Sequence, residues 1–346
     1  MSLMVALAVV AVLVLLAIVA HGLWSARQAG PRRAEPVPAP AARVEPALDS
    51  ESHAPSTQPA AHALPEVRVP APRGGRLDGL IDAIAPLALE TPASGEMALT
   101  HYPPTRRAGT KPFHIEGLNA ETGEWELPAM NRRYGEFQAG VQLANRHGAL
   151  NEIEYSEFVQ KVEAFAEALG ARADFPDMLD VVARARELDA FAAPHDANLA
   201  VHLRASNAAW SVGYLQQVAA RHGFVLGNVP GRLALPSAEE GAPPVLQLSY
   251  DPQAALADDP AQAAVREVTL SLDVPQTRES ASPFDAWQQK AGALATDLDA
   301  ALVDDRGQPI TPQAFAAIGG ELAQLYRTLE ARDLAAGSPG ARRLFS

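Results

Sequence analysis

The residues of this chain with types suited to chemistry are scattered, and their spacing argues against a reaction centre. Gly109-Thr-Lys111 lacks the earlier glycine that a phosphate-cradling loop requires. His147, His195, His202 and His222 form no pair at the spacing of a helical zinc site, and no serine sits in a nucleophile elbow. Asp304 and Asp305 are adjacent carboxylates, but Arg306-Gly307 follows them, and that order reads as a turn. The chain has no cysteine, which excludes disulfides, thiolate chemistry and cysteine-bound metal. Trp125, Trp210 and Trp287 stand alone and read as core. The sequence therefore predicts no enzyme, no cofactor and no metal.

The elements are clearest near the end. Val268, Leu270, Leu272 and Val274 alternate with Thr269, Ser271 and Asp273, a strand with one apolar face that Pro275 stops. Ser282 is placed to cap a helix with Pro283 at its first position, and Phe284, Trp287, Ala291, Leu294 and Leu298 follow at helical spacing. Leu302 and Val303 lead into a hairpin turn at Asp304–Gly307. Thr311-Pro312 repeats the cap, and Phe315, Ile318, Leu322, Leu325 and Leu329 mark a second amphipathic helix.

Leu272-Asp-Val-Pro275, the Phe284 helix, Val303-Asp-Asp-Arg306 and Ile310-Thr-Pro-Gln313 resemble the end of the C-terminal domain of the ZipA family, bacterial division proteins that tether FtsZ to the inner membrane. The resemblance implies an α+β fold, a mostly antiparallel sheet with helices on one face. It also implies that the FtsZ C-terminal tail lies in a shallow groove on the open face. Carried over, that groove falls on Asn198, Ala200, Val229, Gly231, Ser249, Asp251 and Ser271, where the family has mostly large apolar side chains. Only Val229 and Ala200 here are apolar. The resemblance thus implies a membrane-tethered adaptor linking FtsZ to the inner membrane and supporting septal ring assembly. The alternative is a tethered interaction module of the same descent that binds another division partner.

A second signal repeats the first. Phe137, Ala139, Val141 and Leu143 alternate as a strand. Asn151 is placed to cap a helix with Phe158, Val162, Phe165 and Leu169 on one stripe, closed by Gly170, and Met178, Val181, Ala185 and Leu188 form the next stripe. Lys161 and Lys290 stand as far apart as Leu169 and Leu298 do. Upstream, Val67 and Val69 predict a strand, Leu77, Leu80, Ile81 and Ile84 a helix, and Met97–Tyr102 and Phe113–Leu118 further strands. In the later copy, Leu199, Val201 and Leu203 predict the first strand, Leu215 and Val218 a short helix closed by Gly223, and Phe224–Val229 and Val245–Tyr250 the next strands. Two tandem ZipA-like domains are expected, over 64–192 and 197–333, with a tail over 334–346.

Ahead of them, Leu3–Trp24 carries no charge apart from His21, enough for a membrane-spanning helix, and 1–27 is expected to be an uncleaved anchor. Arg27, Arg32 and Arg33 follow the span, which predicts an outside N-terminus and the bulk in the cytoplasm. Residues 28–63, rich in Pro and Ala, are expected to be a disordered linker. The linker's charges cancel, so the net charge of −13 belongs to the domains, which disfavours nucleic-acid binding.

Overall fold

The computed structural model describes residues 76–346 apart from residue 261. The expected anchor, the linker and the strand at Val67 and Val69 lie outside the described residues. Among these residues no helix is long and apolar enough to cross a membrane.

The first half contains strands β1 (Asp82–Ser94), β2 (Arg107–Ala108), β3 (Lys111–Asn119), β4 (Trp125–Glu126), β5 (Arg133–Gln142), β6 (Ala144–Asn145), β7 (Gly148–Ala149) and β8 (Ala171–Ala173). Its helices are α1 (Gly95–Thr100), α2 (Glu152–Leu169) and α3 (Met178–Ala192). The sheet runs β2-β3-β5-β1-β8, antiparallel at every pairing, with β4 also on β3. Ala83, Val141 and Phe113 pair across it, as do Ala85, Ala139 and Ile115, and these rows face α2 in one core. Asn151 caps α2 in a capping box with Glu154, and Gly170 closes it at φ 67°, a left-handed angle that glycine adopts without strain.

Two predicted elements of this half are corrected. The helix expected over Leu77, Leu80, Ile81 and Ile84 is the entry into β1. Core-facing Ile81, Ala83, Ala85 and Leu87 recur every second residue, and that period prevails over the chance helical spacing. Met97–Tyr102 lies in and just after helix α1 rather than in a strand. Ser94 starts the helix by accepting from the Met97 N–H, and a Cβ on Gly95 would meet the Ala129 carbonyl at 1.8 Å.

The second half contains β9 (Asn198–Ala205), β10 (Trp210–Ser211), β11 (Val225–Leu226), β12 (Arg232–Leu235), β13 (Leu246–Ser249), β14 (Ala264–Val265), β15 (Glu267–Asp273) and β16 (Ala300–Val303). Its helices are α4 (Val212–Arg221), α5 (Pro252–Ala255), α6 (Pro283–Leu298), α7 (Pro312–Glu330) and α8 (Pro339–Leu344). The sheet order is β11-β12-β13-β15-β9-β16, again antiparallel throughout. Val201, Leu203, Leu248, Leu270 and Leu272 point to the helices, where Trp287 is buried and its indole N–H donates to the Leu270 carbonyl at 3.1 Å. Thr311 caps α7 through its hydroxyl, as its position predicts. Ser282 does not cap α6: it stands at φ 46° and its side chain makes no capping bond. The expected Phe224–Val229 strand shortens to Val225–Leu226, and the chain turns through Gly231 at φ 78° into β12.

The halves interlock. Helix α7 gives Leu322 and Tyr326 to the second core and Leu329 to the first. Beyond it Leu334 and, on and beside α8, Ala341, Leu344 and Phe345 return to the first core, so the expected tail over 334–346 is built into that half. Arg146, in the β6–β7 hairpin, pairs with Asp196 at 2.6 Å and Asp273 at 2.8 Å. Glu239 takes both Arg278 and Arg342.

Candidate partner-binding face

Because side chains alternate across a sheet, the second half's helix-packed face fixes its open face. The pairing registers place Val225, Ala234, Gln247, Ser271 and Ala200 in one cross-strand row. The next row is Arg232, Ser249, Thr269, His202 and Val303. Asn198 pairs with Asp273 at one end, and Glu267 with Arg204 toward the other.

Four of the seven predicted groove residues, Asn198, Ala200, Ser249 and Ser271, therefore share this face. Three do not. Val229 and Gly231 lie in the turn before β12, where Gly231 packs against the Tyr250 carbonyl and Pro252. Asp251 follows β13 and caps α5 by accepting from the Gln253 N–H at 2.9 Å. The strand that supplies the missing positions, β12, escaped the sequence reading, although Arg232-Leu-Ala-Leu235 alternates after a turn glycine. That omission also hid Val225, which is 51% exposed at the sheet's free edge.

The face is polar and largely self-paired. Arg204 and Glu267 form an ion pair at 3.0 Å. His202 meets the Thr269 hydroxyl at 3.0 Å and Asp305 at 2.9 Å, which ties β9 to the hairpin after β16. That hairpin is the turn its sequence predicts: the Asp304 carboxylate accepts from the Arg306 and Gln308 N–H groups, and Gly307 stands at φ 76°. Arg146 grips Asp273 at the opposite end. Such a face offers hydrogen bonds and charge, with Val225 and the small side chains of Ala234 and Ala200 as its accessible apolar surface.

Several of the residues weighed for catalysis are held by local contacts. Lys111 is buried, and its ammonium, pushed down by desolvation, donates to Asn145 at 2.8 Å and Thr110 at 3.1 Å. His195 and His222 bond to the Phe191 carbonyl and the Asp297 carboxylate. The first sheet's open face carries polar groups the sequence did not flag. There Asp82 is buried against Arg343, 2.8 Å between Nη1 and Oδ2; desolvation pushes its carboxyl up and the guanidinium opposes that. Beside them the Nδ1 of His114 has no partner among the described residues. No group of three or more histidine or acidic side chains among these residues could hold a metal ion.

Residues 255–320 match the family model of the ZipA C-terminal FtsZ-binding domain. This stretch of the chain is similar to ZipA, as the Asp-Asp-Arg hairpin and the Thr-Pro-Gln helix start imply. The match runs from the end of α5 through β15, α6 and β16 into α7, so it includes the central strand of the open face. Ser271 lies inside the ZipA-like stretch, while Asn198, Ala200, Val229, Gly231, Ser249 and Asp251 precede it. No curated protein matches the chain.

Proposed function

We propose that this chain is a ZipA-type cell-division adaptor that binds the C-terminal tail of FtsZ through its second half. In this reading the Leu3–Trp24 segment tethers it to the inner membrane, with the N-terminus outside, and the tether supports septal ring assembly. The observation that carries the proposal is the ZipA C-terminal match over residues 255–320. An open sheet face beside the matched central strand is consistent with a tail-binding surface. The reading is of a binding module and assigns no reaction.

We further propose that the halves are two copies of one domain. Their sheets support this, since the order β3-β5-β1-β8 has its counterpart in β13-β15-β9-β16. In both halves a short helix follows the first strand, and a long helix links the central strand to the edge strand.

The polar face favours one second reading, a module of ZipA descent whose partner is another division protein. Burying a Leu- or Phe-sized side chain contributes about 1.5–3 kcal/mol, whereas micromolar affinity needs about 8. Val225 and two alanines supply only part of that, and the remainder falls to hydrogen bonds and charge. Titration of the full chain with an FtsZ C-terminal peptide separates the readings: saturable binding supports the first, and its absence supports the second.

A further inference from the structure

The first sheet also has an open face, opposite the core-facing Phe113, Ile115, Ala139 and Val141. The pairing registers place Trp125, Leu118, Glu136, Ala88 and Arg172 in one row across it. The next row is Glu116, Gln138 and Pro86, and the one beyond is His114, Gly140 and Ile84. Trp125 and Leu118 are half-buried, while Ala88 and Glu136 are exposed. The Glu136 carboxylate, set between Leu118 and Ala88, has no hydrogen bond or ion pair among the described residues.

The chain itself enters on this face. Leu77 lies over Gly140, where a Cβ would meet its Cδ2 at 2.6 Å, so the glycine makes room for the crossing. The backbone N–H of Arg76 donates to the carboxylate of Glu116, which is only 1% exposed. Going back from Leu77 to Arg76, the chain thus passes from over β5 to over β3 and advances one row. A further step of the same kind leads to the row of Leu118 and, on the neighbouring β4, Trp125. The residues before Arg76 lie outside the described part; they read Val69-Pro-Ala-Pro-Arg-Gly-Gly75.

We propose that the occupant of the Trp125–Glu136 row is the chain's own segment Val69–Arg73, with its prolines against the indole and Arg73 opposite Glu136. Strand and row spacings put Trp125 about 8 Å beyond Glu116. At about 3.3 Å per residue, Gly74 and Gly75 bridge most of that gap and deliver Pro70–Arg73 to the row. A proline-rich stretch suits an aromatic platform because its extended backbone is preformed and loses little entropy on binding. The short tether supplies an effective concentration on the order of millimolar, so a weak contact is enough to hold the segment. The first half then carries its own ligand, which leaves the second half's face as the one open to a partner. The proposal does not depend on FtsZ being that partner.

The test uses the full chain labelled with 5-fluorotryptophan. The readout is the fluorine resonance of Trp125, assigned with Trp125→Phe, and its displacement when H2O is exchanged for D2O, which grows with solvent exposure. Pro70→Gly/Pro72→Gly/Arg73→Ser should enlarge that displacement about threefold. The resonances of Trp210 and Trp287, both buried, should stay in place and show that the cores are intact. Glu136→Lys, at an exposed site, should enlarge the displacement about twofold, and adding Arg73→Glu should restore it. An equal displacement in wild type and the triple variant would overturn the proposal. So would a charge-swapped chain no better protected than Glu136→Lys alone. Protection of Trp125 that disappears on tenfold dilution would assign the face to a second copy of the chain and overturn it too.

Discussion

Replacing Ser271 with phenylalanine should convert a polar tail-binding face into a partly apolar one. Ser271 sits half-buried on the central strand β15, between Gln247 and Ala200, in the row that Ala234 and Val225 complete. A phenylalanine there stands over small neighbours, with room for a peptide to cover it. Full burial of such a ring contributes about 1.5–3 kcal/mol. Because one side of the ring already rests on the sheet in the free protein, about 1–2 kcal/mol remains for the complex, or roughly five- to thirtyfold in affinity. Isothermal titration of an FtsZ C-terminal peptide into wild type, Ser271→Phe and the loop control Ala238→Phe reads this directly. The control should match wild type. A correctly folded Ser271→Phe protein with unchanged affinity would refute the placement of the groove on this face.

Three further outcomes follow from the geometry. Burial and the guanidiniums of Arg343, Arg76 and Arg106 push His114 down to about 4 from 6.5. The unfolded chain then binds the proton first, so this stability is present above pH 6.5 and lost as pH falls through 4. Discounted for partial exposure, it amounts to about 1–2 kcal/mol, and urea melts of His114→Gln should show a flatter acid limb than wild type. Arg146→Ala leaves Asp196 and Asp273 unpaired at the junction of the halves; it should cost about 1–3 kcal/mol in urea unfolding and speed proteolysis near Pro194–Asp196. A reporter fused after Ser346 should be active in the cytoplasm, and a periplasmic signal would contradict the proposed N-out tether.

Long periodic segments were legible in the sequence: α2 with its Asn151 cap and Gly170 stop, α3, β5, β9, β15, and the hairpin between β16 and α7. The strands and helices among them show an unbroken apolar period, and α2 and β15 add their own start or stop residue. Short segments were not. At β1 the spacing of Ile81 and Ile84 suits a helix, and only the sheet's long-range pairing with β5 decides for a strand. Strand β12 has four residues, and its place depends on the Gly231 turn and on pairing with β13. Missing it put Val229 and Gly231 on the face in place of Arg232, Ala234 and Val225. Asp251 was misplaced by carrying the open face past the end of β13, which stops at Ser249. The Arg343–Asp82 pair and the seating of α8 on the first core join residues distant along the chain, and no local pattern announces them.

The proposal that this chain holds the FtsZ tail is tested most directly by titrating the full chain with an FtsZ C-terminal peptide at low and physiological salt. Exposed ion pairs are worth about 0–1 kcal/mol each and weaken as the screening length shortens, whereas apolar burial does not. On a face whose accessible apolar surface is Val225 and two alanines, binding should be saturable, weaker than micromolar, and markedly weaker at physiological salt. Tight binding that ignores salt would contradict the polar face as the gripping surface, and no binding at either salt would contradict FtsZ as the partner.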